Sequence, residues 1–471
     1  MSRTASIYIC QSCGAQTRQF FGRCSNCGEW NSIIEERNSS INRRSKERSA
    51  TSLKPLRKLS EPIASLKEQD LDRIASGYSE FDRVLGGGLV PGSLVLVGGD
   101  PGIGKSTLLL QSATKMAVKN TVLYVSAEES AQQVRLRWQR LQDCESNLQL
   151  LAETNLEIIL EELETLKPTV AIIDSIQALN DQNLSSTPGS VGQVRECSAA
   201  LQQLAKQKNI SLVLVGHVTK EGMLAGPKVL EHLVDVVLTF EGDRYASHRL
   251  LRSVKNRYGA THELGIFEMQ GNGLAEVNNP SEIFLNRKSA AGIATIVACE
   301  GNRSLAVDVQ ALISASTYTS PRRTATGVET NRLHQILAVL EKHMDLALSR
   351  HDCYLALAGG LAVEEPAADL GIATAIVSSY KDLILPDGTV LIGELGLGGQ
   401  LRPVAQIPKR LQEAERLGFQ RAVLPKGSGI NQLKRKVHLD LMEASNINEA
   451  LIMALGTKPE NDQNCREDSL K

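Results

Sequence analysis

The chain has 471 residues, with 52 Lys plus Arg against 53 Asp plus Glu, 42% hydrophobic residues and 4% aromatic residues. Those figures exclude a fully disordered or fibrous chain and allow two or three globular cores. The formal net charge of -1 hides an asymmetry: residues 1–60 hold 11 Lys plus Arg and 4 Asp plus Glu, so they carry +7 and the remainder carries -8. Such a basic segment is either a solvated linker or an arm that meets a polyanion.

Four of the nine cysteines, Cys10, Cys13, Cys24 and Cys27, lie within eighteen residues, and the other five are scattered singly. Two Cys-x2-Cys pairs ten residues apart, each followed by a glycine (Gly14, Gly28), present four thiolates suited to tetrahedral Zn2+. A segment this short buries too little apolar surface to fold alone, so the metal supplies the folding free energy, on the order of 10 kcal/mol. A purely structural zinc ribbon and a module that engages nucleic acid or a partner both stay open; Arg18 and Arg23 between the knuckles favour the second.

The ribbon is expected over residues 1–35 and a flexible basic linker over 36–68. From 69 to 275, the apolar runs SLVLVG, TVLYVS, TVAIID, ISLVLVG and VDVVLTF alternate with amphipathic stretches, which predicts an α/β domain built on a mostly parallel sheet. A second domain of mixed strands and helices is expected over 285–456, followed by a disordered polar tail at 457–471. The longest uncharged stretch, Val84–Gly99, has sixteen residues with six glycines and a proline, too short and too broken to cross a bilayer. With no apolar leader at MSRTASIYIC, the expectation is a cytoplasmic protein without a membrane segment.

Within the α/β domain, Gly99, Asp100, Pro101, Gly102, Ile103, Gly104, Lys105 and Ser106 match G-x4-G-K-[ST] between a strand and a helix, with Thr107 completing the nucleotide-binding set. Loop amides and the helix N-terminus suit phosphates, Lys105 suits the β and γ oxygens of ATP, and Ser106 suits Mg2+. Asp174 ends the strand VAIID, placed to hold Mg2+ directly or through water as a Walker B carboxylate does. Glu128 and Glu129 follow another strand at the same edge; Glu128 is the candidate base that polarises an attacking water, unless the glutamates only cap the helix that begins at Ser130. His217 ends a further strand, either as a γ-phosphate sensor or as an ordinary hydrogen-bonded histidine.

The run SGYSEFDRVLGGGLVPGSLVLVGGDPGIGKSTLLLQ, with AEES at 127–130, PGSVGQVRE at 188–196, GHVTKEGMLAGPKVLEH at 216–232 and KNRYG at 255–259, resembles the bacterial RadA (Sms) family over nearly the whole chain. The resemblance implies a zinc ribbon, a RecA-like P-loop ATPase core and a C-terminal α+β Lon-protease-like domain. It implies a DNA-dependent ATPase of the translocase or helicase type that acts on single-stranded and branched DNA in homologous recombination and repair. A hexameric ring and the RecA recombinase as partner are implied with it.

By analogy with RecA-like motors, the resemblance makes Lys255, Asn256, Arg257, Tyr258 and Gly259 a trans-acting motif, with Lys255 and Arg257 reaching the γ-phosphate of an adjacent subunit. The alternative is a surface basic cluster with Arg249 and Arg252. The family usually has Phe where this chain has Tyr258, and a buried hydroxyl there needs a partner. Arg195, Lys220 and Lys228 fall on the loops expected to face DNA. The Lon-like resemblance raises the alternative of an ATP-dependent protease, but the nucleophile position falls on Ala367, and the lysine position on Pro408 with Lys409 one place away. A KaiC-like regulatory ATPase is a third reading.

Overall fold

The computed structural model describes residues 6–10, 15–17, 19, 21–30, 32–37, 72–141, 146–216, 227–242, 247–285, 289–318 and 320–456. It divides into two compact units, Met1–Glu276 and Val277–Lys471.

The first unit opens with a three-stranded antiparallel ribbon of β1 (Ser6–Cys10), β2 (Gln16–Thr17) and β3 (Ile33–Arg37), in the order β2-β1-β3. Pairing of Ser6 with Arg37 carries β3 two residues past the expected end of the ribbon at 35. Among the described residues, the ribbon's own core is Cys10, Cys24 and Ile33.

The α/β region then runs α1 (Ser79–Leu85), β4 (Leu94–Gly99), α2 (Lys105–Met116), β5 (Val122–Ser126), α3 (Ala131–Arg140), β6 (Gln149–Ala152), α4 (Leu156–Leu166) and β7 (Val170–Asp174). It continues through α5 (Val191–Lys208), β8 (Ser211–Val215), α6 (Pro227–Leu233), β9 (Val236–Glu241), β10 (His248–Asn256), β11 (Leu264–Gln270) and β12 (Gly273–Glu276). These strands form one nine-stranded sheet in the order β12-β11-β10-β9-β4-β8-β7-β5-β6. Strands β4, β5, β7 and β8 are buried at every position, as strands covered by helices on both faces must be, and so read as unbroken apolar runs. Two separate apolar clusters, one around Leu108 and Val213 and one around Ile159 and Leu201, lie on the two faces.

The six strands from β9 to β6 are parallel, whereas β10, β11 and β12 extend the sheet antiparallel. These hairpin strands, and the edge strand β6 with its mainly exposed residues, lack the continuous apolar signal and were not among the expected runs. Because β4 sits between β8 and β9, and β7 between β5 and β8, the carboxyl ends of β4, β5 and β7 gather at one edge of the sheet.

The second unit contains α7 (Ser281–Phe284), β13 (Ile293–Glu300), β14 (Arg303–Ala315), β15 (Arg323–Thr326), α8 (Thr330–Met344), β16 (His351–Leu357), α9 (Asp369–Lys381), β17 (Thr389–Leu391), β18 (Glu394–Leu395) and β19 (Leu401–Arg402). It ends with α10 (Ile407–Arg416), β20 (Arg421–Pro425), α11 (Ile430–Leu433), β21 (Asp440–Ala444) and α12 (Ile447–Leu455). Its seven-stranded mixed sheet has the order β15-β16-β14-β13-β17-β20-β21, with β18 and β19 paired apart. Among the described residues no helix is long and apolar enough to cross a membrane.

Candidate nucleotide site and metal ribbon

The phosphate loop leaves β4 and enters α2 at the N-cap Gly104. Gly99 (φ 152°) and Gly104 (φ 119°) hold left-handed backbone that side chains avoid. A Cβ on Gly99 would lie 2.5 Å from the Phe240 carbonyl oxygen, and one on Gly104 2.9 Å from the Met269 methyl. On Gly102 it would meet nothing within 4 Å, so that face of the loop is open to an approaching phosphate.

Lys105 is only 3% exposed, and its Nζ donates to the carbonyls of Gly99 (2.7 Å) and Asp100 (2.9 Å). The loop is thereby wrapped around the Lys105 ammonium. Burial pulls the Lys105 ammonium below the usual lysine range, and Asp174, Glu128 and Asp100 act in the opposite direction. A triphosphate would replace those carbonyls as the acceptor, so the donor set fits ATP.

Arg249, which the sequence offers only as part of a surface basic cluster with Arg252, reaches the phosphate loop instead. It is 8% exposed on β10, and its Nε donates to the Ile103 carbonyl of the loop at 3.1 Å. Arg252 instead pairs with Glu241 at 3.6 Å. The two arginines are thus engaged separately and form no exposed cluster with the KNRYG residues.

Asp174 ends β7 and is 7% exposed. The buried Tyr124 hydroxyl, from the adjacent parallel strand β5, donates to its Oδ2 at 2.6 Å. Burial and the Asp174 carboxylate push the Tyr124 phenol well above its ordinary value, so it stays a donor. Glu128 is exposed and accepts a hydrogen bond from the Ser175 hydroxyl, beside Asp174. Helix α3 is capped without it: Ser130 Oγ accepts from the Gln133 amide, and the Ser130 amide donates to Gln133 Oε1 at 2.9 Å. Glu129 pairs with Arg137. The two adjacent glutamates therefore have different surroundings, and only Glu128 remains beside Asp174 at the carboxyl edge.

The KNRYG segment closes β10. Lys255 Nζ donates to the carbonyls of Glu231 and Val234 (2.9 Å) at the end of α6, where cations suit unsatisfied carbonyls. Asn256 Nδ2 donates to the Val84 carbonyl at 3.2 Å. Arg257 is 51% exposed, and its guanidinium reaches Asp235 Oδ1 at 3.2 Å. Asp235 is 2% exposed and also accepts the Leu94 amide at 3.1 Å, at the start of β4. Tyr258 is partly buried against the motor core, and burial together with the nearby Asp235 carboxylate pushes its phenol above the ordinary value. Gly259 lies against Gly86, where an added Cβ would come 3.0 Å from the Gly259 Cα.

In the ribbon, the Sγ atoms of Cys10, Cys24 and Cys27 lie within 4.8 Å of one another, and those of Cys10 and Cys27 are 3.6 Å apart. Thiolates bound tetrahedrally at about 2.3 Å from Zn2+ stand roughly 3.8 Å apart, so the set fits that ion. None of the three is in a disulfide. Cys13, His217, Lys220 and the side chain of Lys228 lie outside the described residues, as do Arg18, the linker from 38 and the tail at 457–471. Arg195 is half-buried on α5.

Three family models match the chain: an AAA domain over residues 60–223, a rubredoxin metal binding domain over 8–35, and subunit ChlI of Mg-chelatase over 310–428. The chain is 54% identical over 455 residues to the DNA repair protein RadA of Synechocystis, covering 91% of this chain and 90% of that one. It is 46% identical over 461 residues to the DNA repair protein RadA of Bacillus subtilis, covering 97% and 100%. The chain belongs to the RadA family. Among solved structures, a KaiC-like protein from Pyrococcus horikoshii aligns at a TM-score of 0.36 and 20% identity, covering 44% of this chain and 99% of that one.

As in the family's implied architecture, this RadA-family chain joins a zinc ribbon, a RecA-like P-loop ATPase core and a Lon-like C-terminal domain, with ATP and Zn2+ as ligands. Its Lon-like domain carries no hydroxyl at the expected nucleophile position: Ala367 is 3% exposed, just before α9. Lys409, the expected neighbour of the lysine position, points away, with Nζ on Asn302 Oδ1 at 3.0 Å. One helical residue further on, a rotation of about 100°, α10 turns Arg410 inward. Arg410 is 2% exposed and binds both oxygens of Glu365, at 2.6 and 2.5 Å. A second ion pair, Arg332–Asp369, flanks the other side of the same turn. The cation beside Ala367 is thus neutralised and structural.

Proposed function

We propose that this protein is a DNA-stimulated ATPase and translocase that extends or migrates branched strands in homologous recombination and DNA repair. The observation that carries the reading is the gathering of Lys105, Asp174 and Glu128 at one sheet edge, in a chain related over its length to DNA repair proteins. Ser106 and Asp174 would hold Mg2+, which would neutralise charge on the transferring phosphoryl group. Lys105 draws on the β and γ oxygens in place of the Gly99 and Asp100 carbonyls. Glu128 orients and polarises the attacking water.

In a hexameric ring of subunits, read from the family resemblance, Lys255 and Arg257 of one subunit act on the nucleotide of its neighbour. His217 senses the γ-phosphate, and Arg195, Lys220 and Lys228 contact DNA phosphates. Residues 1–35 form the ribbon held by Cys10, Cys13, Cys24 and Cys27, 36–68 the basic linker, 69–275 the motor and 285–456 an assembly domain without peptidase chemistry. The RecA recombinase is the partner, and the cytoplasm the compartment.

The test is unwinding of labelled forked DNA with ATP and with a non-hydrolysable analogue, in parent and Lys105→Ala protein. Strand separation by the parent with ATP alone is expected. Lys105→Ala that still hydrolyses ATP at the parental rate with DNA present would falsify the assignment of the motor site.

A further inference from the structure

Among the described residues of the ribbon, two aromatic side chains stand in solvent: Trp30 is 69% exposed and Phe21 is 48% exposed. The chain has only two tryptophans. The other, Trp138, packs against the motor core and donates its indole N–H to Thr114 Oγ1 at 3.1 Å. Trp30 has the opposite setting, a large ring left in solvent on a module whose core, among the described residues, is Cys10, Cys24 and Ile33 with Tyr8 and Ala15 packed against it.

The surroundings of Trp30 are ordered. Arg23 and Trp30 form an antiparallel bridge, and the Arg23 guanidinium sits 5.7 Å from the ring centroid. Arg23 Nε donates to the Gly28 carbonyl at 2.7 Å, which fixes the guanidinium beside the ring. Gly22 lies along the ring edge, where an added Cβ would come 4.0 Å from Trp30 Cζ3. The knuckle beneath is held by hydrogen bonds from the Cys24 amide to the Glu29 carbonyl (2.8 Å) and from the Gly28 amide to the Cys24 carbonyl (2.9 Å). A metal held by Cys24 and Cys27 would stiffen the same loop, leaving little ordering to be lost when a ligand arrives.

We infer that Trp30 and Arg23, with Phe21 nearby, form a stacking platform for unpaired bases of single-stranded DNA, Trp30 covering a base face and Arg23 meeting a phosphate. The inference rests on the DNA-binding reading above and names the surface that recognises an unpaired strand. Charge complementarity supports this occupant, because the segment that follows the ribbon, residues 36–60, holds 8 Lys plus Arg against 2 Asp plus Glu. A duplex keeps its base faces stacked inside, so an exposed ring of this kind suits a single strand. Stacking is non-ionic and reads no sequence, which suits a protein that meets any unwound strand.

The experiment uses the full-length zinc-bound protein. In a Trp138→Phe chain, Trp30 is the sole tryptophan, and its emission is followed during titration with oligo(dT) and with an abasic oligomer of equal length. Oligo(dT) is expected to quench it and the abasic strand to leave it unchanged. By anisotropy, Trp30→Ala is expected to weaken oligo(dT) binding about tenfold, with the salt dependence kept, while Trp30→Phe restores most of the affinity.

Unquenched Trp30 emission with oligo(dT) bound, or parental affinity in Trp30→Ala, overturns the platform, leaves DNA binding intact and makes this face one for a protein partner. A parent that binds no oligomer at all overturns the platform together with the DNA-binding reading. Zinc content is measured for each variant, and the emission experiment decides by itself if Trp30→Ala loses the metal.

Discussion

The Tyr124 hydroxyl donates a 2.6 Å hydrogen bond to Oδ2 of Asp174, across neighbouring parallel strands. Both groups are buried, Tyr124 at 1% exposure and Asp174 at 7%, so the bond restricts the carboxylate to one orientation at the site edge. Tyr124→Phe keeps the ring that fills the core and removes only that restraint. A hydrogen bond to a charged group contributes about 1.5–3 kcal/mol, so the Mg2+ concentration for half-maximal ATP hydrolysis is expected to rise on the order of tenfold. Magnesium titration at saturating ATP checks this, and an unchanged curve assigns Tyr124 to packing alone.

Glu128 stands beside Ser175 and takes no part in capping α3. Glu128→Gln keeps the shape and removes the proton acceptor. Hydrolysis is expected to slow by about 10²- to 10⁴-fold while ATP binding stays within a few-fold. Single-turnover hydrolysis and equilibrium nucleotide binding separate the two, and parallel losses would place Glu128 in binding.

Arg257 is half-exposed, with its guanidinium on the buried carboxylate of Asp235. Arg257→Ala is expected to leave ATP binding nearly parental and to reduce DNA-coupled turnover about tenfold or more. Mixing Arg257→Ala with Lys105→Ala subunits is expected to recover part of the activity, because some interfaces then combine an intact loop with an intact arginine. No recovery in the mixture would argue that Arg257 serves its own subunit.

Glu413 ties α7 to α10, accepting from Ser281 Oγ at 2.7 Å and from both Arg416 Nε (2.8 Å) and an Arg416 terminal nitrogen (2.7 Å). Burial alone would raise its pKa, but the Arg416 and Ser281 hydrogen bonds outweigh burial and hold it below 4.5. A carboxyl depressed in the folded state contributes stability above the unfolded value, and loses it as pH falls through the folded value. Glu413→Gln is therefore expected to lower Tm at neutral pH and to converge on the parent in acid, below pH 4.5. Melting curves across that range check it; a constant difference at every pH would contradict the linkage.

The parts most legible in the sequence are those whose chemistry is carried by contiguous residues. The phosphate loop needs Gly99 to Ser106 in one run between a strand and a helix, and the structure has β4 and α2 there. The buried strands β5, β7 and β8 announce themselves as apolar runs for the same local reason. Strands β6, β10, β11 and β12 were harder to read because they lie at the sheet's edge or in its antiparallel extension, where partial exposure breaks the run.

What the sequence by itself determined is the inventory: a thiolate cluster, a phosphate loop, strand-end carboxylates, the KNRYG segment and a Lon-like domain without its serine. What only the tertiary structure decided is which groups meet. Tyr124 reaches Asp174 across fifty positions of sequence, Arg249 reaches Ile103 across 146, and Asp235 gathers Leu94 and Arg257. On α10, a single residue of helical rotation placed Arg410 and not Lys409 against the turn that holds Ala367. The physical reason is that parallel strands are joined by long crossovers, so neighbours across the sheet are distant in the chain and no local pattern records them.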